Sequence, residues 1–228
     1  MTKIIIFGRC YGLLSMTLDS LHNIYGKDIY VDIVSNVTPD STEPFLIDDM
    51  PSIHEYMHDI YDYSTISSNI IMGVGSPISK KMVYEFFKQN YMIDIQQYCN
   101  IIPYNHLHIS KMVSIKNGCH VGYGTTIAPY AKIGNLVTIN RNCSIGHHTI
   151  IGDFVTLSPG VNIAGNCIIG NGTKIGIGAN ISNNITIGEN CVIGSGALVT
   201  KNVPSNTVWY GVPAKFIRNN EIMSYNSL

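Results

Sequence analysis

Two pairs of histidines in this chain have spacings that could support chemistry. His147 and His148 are adjacent and lie among glycines, where a neutral imidazole can take a proton from an attacking group. His54 and His58 lie four residues apart in a His-Glu-x-x-His sequence, which on a helix can bind zinc with the glutamate as base. We predict no metal at this second pair, because its segment is short and no third ligand is evident.

The segments that must position His147 follow a strict repeat, in which every sixth residue is aliphatic. In an α-helix such a step scatters side chains over three faces, whereas in an extended chain every sixth side chain points the same way. Glycine usually follows the aliphatic residue and permits a corner. The repeated positions are Ile109, Ile115, Val121, Ile127, Ile133, Ile139, Ile145, Ile151, Leu157, Ile163, Ile169, Ile175, Ile181, Ile187, Ile193 and Val199.

Three such hexads close most simply into a triangular coil of about 18 residues, so we predict a parallel β-helix whose aliphatic side chains stack about 4.8 Å apart. His147 lies two residues past Ile145, near a corner, and Gly165 lies one coil above it. An imidazole beneath a residue without a side chain leaves room for a carbonyl group. The oxyanion that forms from this carbonyl would accept a hydrogen bond from the Gly165 N–H. Both requirements of acyl transfer are then adjacent.

Four of the six cysteines are 24 residues apart, which is one coil plus one hexad. Each therefore lies on a different side of the coil from the last, so that neighbours in the series cannot share a disulfide or a metal ion. We predict that they are reduced packing residues. The four are Cys119, Cys143, Cys167 and Cys191.

Residues 1–100 alternate between strand and helix patterns and predict a small Rossmann-like α/β domain with a parallel sheet, followed by the β-helix and its C-terminal cap at 101–228. The predicted strands are Lys3–Phe7, Ile29–Val34 and Asn69–Val74, and the predicted helices are Leu13–Ile24, Ser52–Ile60 and Ser79–Tyr91, the last capped by Ser79.

Ligands of parallel sheets bind beyond the carboxyl ends of the strands. We therefore expect the loops Gly8–Gly12, Ser35–Asn36 and Gly73–Pro77 to border one crevice that can bind a phosphate-containing ligand. Arg9 could form an ion pair with a phosphate, and Ser35 and Asn36 at the end of the second strand offer acceptors for a base or ribose. The predicted substrate-binding residues are Gly8, Arg9, Cys10, Tyr11, Ser35, Asn36 and Gly75.

Composition narrows the class of protein. The chain has 228 residues and a net charge of −1, so it has no basic field for a nucleic acid backbone. Only 13% of its residues are charged, which favours an oligomer that covers part of its surface. The start lacks the features of a signal peptide, and no apolar segment has membrane length, so we predict a cytoplasmic protein without a membrane partner.

The hexads resemble those of the hexapeptide-repeat acyltransferases, whose β-helix is left-handed. The order of a small α/β domain and then this solenoid resembles the nucleotide-aminosugar N-acetyltransferases and sialic acid O-acetyltransferases of the PglD and NeuD type. That resemblance implies that the first domain holds a nucleotide-linked amino sugar. It also implies that acetyl-CoA lies along the β-helix, between two subunits of a homotrimer, and that no metal is needed.

The resemblance assigns roles residue by residue. The segment from Asn140 to Phe154 is similar to the stretch with the family's catalytic histidine, which places that role on His147 and a substrate-side role on Asn140. His148 departs from the family, because an acidic residue usually stands there. Thr156 matches a histidine that touches the acetyl group. The other implied cofactor-binding residues are Gly165, Ile177, Ser195 and, in the closing Tyr210-Gly-Val-Pro-Ala-Lys215 segment, Lys215.

Three functions are compatible with these residues. The favoured one is transfer of acetyl from acetyl-CoA to the amino group of a nucleotide-linked 4-amino-4,6-dideoxy sugar, by direct attack, for surface-glycan assembly. The second is O-acetylation of a sugar such as sialic acid, or use of a longer acyl donor. The third is a non-catalytic nucleotide-sugar-binding solenoid, which the departures at His148 and Thr156 keep open.

Overall fold

The computed structural model describes residues 2–26, 28–36, 53–66 and 69–221, without the side chains of Tyr11 and Thr65. The first part is a four-stranded parallel sheet in the order β3-β2-β1-β4 with two helices. Its strands are β1 (Thr2–Phe7), β2 (Ile29–Ser35), β3 (Ile53–Met57) and β4 (Ile70–Met72), and its helices are α1 (Tyr11–Tyr25) and α2 (Pro77–Tyr91). The predicted parallel sheet is confirmed.

The predicted helix Ser52–Ile60 is wrong over the part that is described, because Ile53–Met57 forms the edge strand β3. It pairs in parallel with Val31–Ser35 of β2, and this pairing outweighs the local helical pattern. In a strand, residues four apart are about 13 Å apart. His54 and His58 therefore lack the helical spacing on which the zinc motif depends.

Helix α2 begins two residues before the predicted Ser79. Its N-cap is Ser76, whose hydroxyl accepts a hydrogen bond from the Ser79 N–H at 3.1 Å, and Pro77 occupies the first helical position. The helix thus starts directly after the Gly73–Gly75 loop that follows β4.

The second part is a three-sided parallel β-helix of two-residue strands. They are β5 (His108–Ile109), β6 (Ser114–Ile115), β7 (His120–Val121), β8 (Thr126–Ile127), β9 (Lys132–Ile133), β10 (Thr138–Ile139), β11 (Ser144–Ile145), β12 (Ile150–Ile151), β13 (Thr156–Leu157), β14 (Asn162–Ile163), β15 (Ile168–Ile169), β16 (Lys174–Ile175), β17 (Asn180–Ile181), β18 (Thr186–Ile187), β19 (Val192–Ile193) and β20 (Leu198–Val199). Every third strand joins the same sheet, as predicted. The hairpin of β21 (Thr207–Gly211) and β22 (Ala214–Asn219) ends it. Short 3₁₀ helices occur at Tyr63–Thr65, Ile95–Gln97 and Tyr104–His106.

The repeated aliphatic residues form the core of the coil. From Val121 onward each is at most 3% exposed, and the four cysteines of the 24-residue series are buried and free among them. The glycines that follow the aliphatic residues serve close approach. A Cβ on Gly176 would lie 2.5 Å from the Ser195 backbone nitrogen of the next coil. Left-handed backbone occurs two residues later, as at Gly178.

The α/β domain lies on one of the three sheets, which we call the covered face: β7, β10, β13, β16, β19, β21 and β22. Lys80 of α2 reaches the Thr138 hydroxyl of this sheet at 3.3 Å and the Val155 carbonyl at 2.9 Å. Tyr84 contacts Phe154 at a ring distance of 5.9 Å. These contacts place the α/β domain, with the loops predicted to bind a phosphate-containing ligand, on this sheet and not on the other two.

Candidate functional site

His147 lies at the corner between the two other sheets, in the turn from β11 to β12. Pro129, Gly165 and Asn183 occupy the same position in neighbouring coils, and we call this edge the histidine corner. The imidazole lies directly against Gly165. A Cβ there would be 2.6 Å from Nε2 and 2.7 Å from Cε1 of His147. The predicted juxtaposition of an exposed imidazole and a side-chain-free residue is present.

The Gly165 N–H already has a partner. It donates a hydrogen bond to the Asn183 side-chain oxygen of the following coil at 3.0 Å. The oxyanion role predicted for this N–H therefore requires the Asn183 side chain to move aside. Sequence reasoning missed this, because it placed the backbone of successive coils but not their side chains.

The residue after His147 contacts it directly. His148 Nδ1 lies 3.1 Å from His147 Nδ1, which is hydrogen-bond distance, and both side chains are exposed. The Tyr130 ring, one coil below, lies 4.8 Å from the His148 ring. No carboxylate is hydrogen-bonded to either imidazole within the described ranges.

The loops that were expected to border a crevice lie where topology places the ligand site of such a sheet. The strand order reverses between β1 and β4, and the ligand site of such sheets lies at this switch point. Gly8 follows β1 with φ +82°, and a Cβ on it would lie 2.9 Å from a Val74 methyl. The Cys10 N–H donates to the Gly73 carbonyl at 3.1 Å. The loops after β1 and β4 thus meet, as expected from the sequence.

The remaining crevice residues differ in availability. Arg9 Nε lies 3.3 Å from the Glu55 carboxylate of β3, so a phosphate would share its charge with that group. Cys10 is exposed, Ser35 is buried at the end of β2, and Asn36 is half-buried beside it. The backbone of Tyr11 begins α1, and its side chain lies outside the described atoms.

Thr156 lies under the crevice. Its hydroxyl donates to the Gly75 carbonyl at 2.6 Å, which joins two predicted ligand-binding residues across the domain boundary. A hydrogen bond from this hydroxyl to an acetyl group, predicted from the sequence, would replace that bond. In the same row of the covered face stand Thr138 and His120.

Two buried basic groups accompany this row, and sequence reasoning did not identify them. Burial lowers the pKa of Lys80 to about 7. Burial, with a smaller contribution from the Lys80 charge, lowers the pKa of His120 to about 4. His120 Nε2 has no hydrogen-bond partner among the described residues. Both groups lie at the domain boundary, away from the histidine corner.

Further along the covered face an open groove of about 480 Å³ lies beyond the α/β domain. Lys174, Ser195 and Tyr210 are among the residues that line it. Ile177 is 59% exposed at the neighbouring corner, and the Gly196 N–H donates to its carbonyl at 2.7 Å. Lys215 is exposed on β22 opposite Tyr210. The residues expected to line a cofactor arm therefore border one surface.

Asn140 belongs to this side of the chain as well. It follows β10 on the covered face, and its side-chain oxygen is buried without a hydrogen-bond partner among the described residues. The predicted site residues thus fall into two groups. His147 and Gly165 lie at the histidine corner, and all the others lie in the crevice or along the covered face, across the prism from that corner.

Other classes of site receive no support from the described ranges. They contain no group of three histidine, cysteine or acidic side chains that could hold a metal ion. None of the helices they include has the length and apolar character needed to cross a bilayer.

Comparisons with known proteins agree with this architecture. Residues 166–201 match the family model described as bacterial transferase hexapeptide (six repeats). No curated protein matches the sequence significantly. Within residues 166–201 the chain therefore has the hexapeptide repeat that the sequence had predicted.

Solved structures extend the likeness to nearly the whole chain. A mutant perosamine N-acetyltransferase from Caulobacter crescentus, in complex with CoA and GDP-perosamine, is 21% identical, with a TM-score of 0.77 over 96% of this chain and 98% of that one. WeeI from Acinetobacter baumannii is 21% identical, with a TM-score of 0.77 over 95% of this chain and 100% of that one. The acetyltransferase domain of PglB from Neisseria gonorrhoeae, in complex with acetyl coenzyme A, is 19% identical, with a TM-score of 0.74 over 94% of this chain and 98% of that one. The predicted fold, an α/β domain followed by a left-handed β-helix, is confirmed.

Proposed function

We propose that this chain is an acetyl-CoA-dependent N-acetyltransferase that acts on the amino group of a nucleotide-linked 4-amino-4,6-dideoxy sugar, in the cytoplasm, for surface-glycan assembly. The observation that carries the proposal is the His147 imidazole lying on Gly165 at an exposed corner. The same fold is seen in an enzyme solved with CoA and GDP-perosamine, which supports the substrate class.

The chemistry needs no acyl-enzyme. The sugar amine attacks the thioester carbonyl while His147 Nε2 takes a proton from the nitrogen. The Gly165 N–H, released by Asn183, stabilises the oxyanion. A new C–N bond forms, the C–S bond breaks, and the proton held by His147 passes to the CoA sulfur.

The site is formed between copies of the chain in a homotrimer. Within one chain the crevice lies on the covered face, whereas His147 lies at the corner that joins the other two sheets. A sugar held in the crevice of one subunit therefore reaches the histidine of the next. This arrangement also accounts for the exposure of His147 and of the groove beside Ser195.

The residues of the covered side then have defined tasks. Gly8, Cys10, Gly75 and the α2 N-terminus bind the diphosphate with Arg9 and Tyr11, and Ser35 with Asn36 binds the nucleoside. Asn140 lies on the substrate side, where its side chain must turn outward before its buried oxygen can accept a hydrogen bond from the sugar amine. Thr156 lies near the acetyl group, backbone amides at Ile177 and Ser195 bind the pantetheine arm, and Lys215 meets a CoA phosphate.

The direct test is incubation of the purified protein with acetyl-CoA and nucleotide-linked 4-amino sugars carrying GDP, UDP or dTDP. We expect one of them to gain the mass of one acetyl group with release of free CoA thiol. The new bond should resist alkaline hydroxylamine, which cleaves esters but not amides. An ester product would assign O-acetylation instead. Absence of product with every acceptor and acyl-CoA would contradict the proposal that the chain is an acyltransferase.

A complementation experiment tests the shared site. His147→Ala removes the base, and Gly75→Asp places a negative charge in the crevice, where the nearest side chain atoms are 3.8 Å from the new Cβ. Each variant alone is expected to be inactive. Refolding the two together should restore activity, because some mixed interfaces then have an intact crevice facing an intact histidine. Mixed trimers without recovered activity would place the whole site within one subunit.

A further inference from the structure

From Gly118 to Gly196 the second residue of each corner has a left-handed backbone, which favours glycine or asparagine. Four corners in the middle of the β-helix instead carry larger side chains. They are Tyr130, Leu136, His148 and Phe154, with φ values of 65°, 53°, 58° and 61°. Such residues in this region cost about 1–2 kcal/mol each, so each needs a compensating reason.

Packing supplies that reason for two of the four. Leu136 is fully buried against the α/β domain, and Phe154 contacts Tyr84 of α2. Tyr130 and His148 lie one coil apart at the histidine corner, where no described part of the chain covers them. Tyr130 is 49% exposed and His148 is exposed too. Burial within the described chain therefore does not offset the strain at His148.

The contact between the two histidines supplies another reason. Their Nδ1 atoms face each other at 3.1 Å, so a hydrogen bond between them holds one proton. If His147 carries it, its Nε2 has a free lone pair toward Gly165. If His148 carries it, a neutral His147 is protonated at Nε2 and cannot act as a base. The tautomer of the pair decides whether the corner is reactive.

We propose that His148 is a positioning residue that accepts the His147 Nδ1–H through its own Nδ1 and so keeps the His147 Nε2 lone pair directed at Gly165. The Tyr130 ring holds the His148 ring in this orientation. The inference rests on the proposed function, in which His147 is the base. His148 thereby supplies, through a neutral ring, the orientation that a carboxylate supplies in other histidine bases, without a fixed negative charge.

Substitution at His148 should separate orientation from structure, because glycine relieves the left-handed strain. We expect His148→Gly to unfold at a higher temperature than the parent, yet to lose about 10- to 100-fold in kcat with KM nearly unchanged, as when a histidine loses the partner that fixes its tautomer. His148→Asp, which keeps an acceptor, should retain most of kcat. Asn190→Gly, at the equivalent backbone position elsewhere, should leave kcat unchanged.

The tautomer itself is measurable without turnover. Long-range ¹H–¹⁵N correlation on histidine-labelled protein should show His147 protonated at Nδ1 in the parent, and a shift toward Nε2 protonation in His148→Gly. Nε2 protonation in the parent, or full kcat in His148→Gly, would overturn the proposal. Failure of the proposed function would look different: the parent would form no acetylated product, while the tautomer spectrum would still report on His148.

Discussion

The covered face and the histidine corner are built from the same coils but give a histidine opposite surroundings. His120, beneath the α/β domain, is 6% exposed, and burial lowers its pKa to about 4. His147 is exposed and lies against Gly165. The comparison teaches that the repeat supplies positions, whereas the element packed over each position determines what a side chain there can do. Variants at the corner should lower catalysis without lowering stability, and variants of the covered face should lower stability first.

The largest effect is expected from His147→Ala. Loss of a general base should lower kcat/KM by about 10² to 10⁴-fold and remove the ascending limb of the pH–rate profile. The thermal unfolding temperature should stay that of the parent, because the side chain is exposed. His108→Ala, at another exposed histidine, serves as control and should retain full activity. A persistent ascending limb in His147→Ala would identify another base.

Gly165→Ala sharpens the same contrast without removing the base. The new Cβ would lie 2.6 Å from His147 Nε2 and would force the ring to turn. A displacement of about 1 Å at a reacting group costs about 100-fold, so we expect that loss in kcat. Asn183→Ala, which frees the Gly165 N–H, should keep or raise kcat. A large loss in Asn183→Ala would show that Asn183 itself contacts the substrate.

The covered face is tested by the pH dependence of stability. In the unfolded chain His120 takes up a proton near the ordinary histidine pKa of 6.5, whereas in the folded protein it does so only near a pKa of about 4. The unfolded state therefore binds more protons between these values, and stability falls as pH decreases through this range. The loss should be about 2 kcal/mol at pH 5.

Replacing His120 tests this assignment. His120→Leu should flatten that part of the pH–stability curve, measured by denaturant unfolding, while His108→Leu should leave it unchanged. An unaltered slope in His120→Leu would mean that another group causes the acid sensitivity.

The smallest effect is expected from Thr156→Val, which removes the hydrogen bond to the Gly75 carbonyl. A bond of this kind contributes about 1 kcal/mol to the free energy of unfolding. The matched control is Thr186→Val, at an exposed threonine of another sheet. An accompanying rise in KM for acetyl-CoA would support the place proposed for this hydroxyl near the acetyl group, and a loss of stability with KM unchanged would restrict its role to the domain boundary.

The β-helix was predictable because the same position of every hexad, the aliphatic one, determines the fold. An aliphatic side chain every sixth residue has only one way to reach a common core in an extended chain, and the observed strands end on those residues. The α/β domain was less predictable. Ile53–Met57 has a helix-compatible pattern, but pairing with β2 makes it a strand, and a short segment does not reveal its neighbours in advance.

The sequence predicted those parts of the candidate site that depend on backbone position alone, but not those that depend on side-chain contacts. Counting one coil from His147 gives Gly165, and the two are in contact. Counting could not show that Asn183 occupies the Gly165 N–H, nor that Thr156 bonds to Gly75, since both depend on side-chain orientation and domain docking. One signal was available: large residues at corner positions that favour glycine or asparagine, where Leu136 and Phe154 mark the docking side.

The pairing of residues 18 apart, such as Ile145 with Ile163, also limits how this protein can change length during evolution. Gain or loss of a whole coil shifts the C-terminal hairpin by about one strand spacing, 4.8 Å, and leaves every side chain on its side of the prism. Gain or loss of a single hexad turns everything beyond it by a third of a revolution. Between the α/β domain and Gly165 such a change would carry the histidine to another side, so natural insertions there should come in multiples of three hexads.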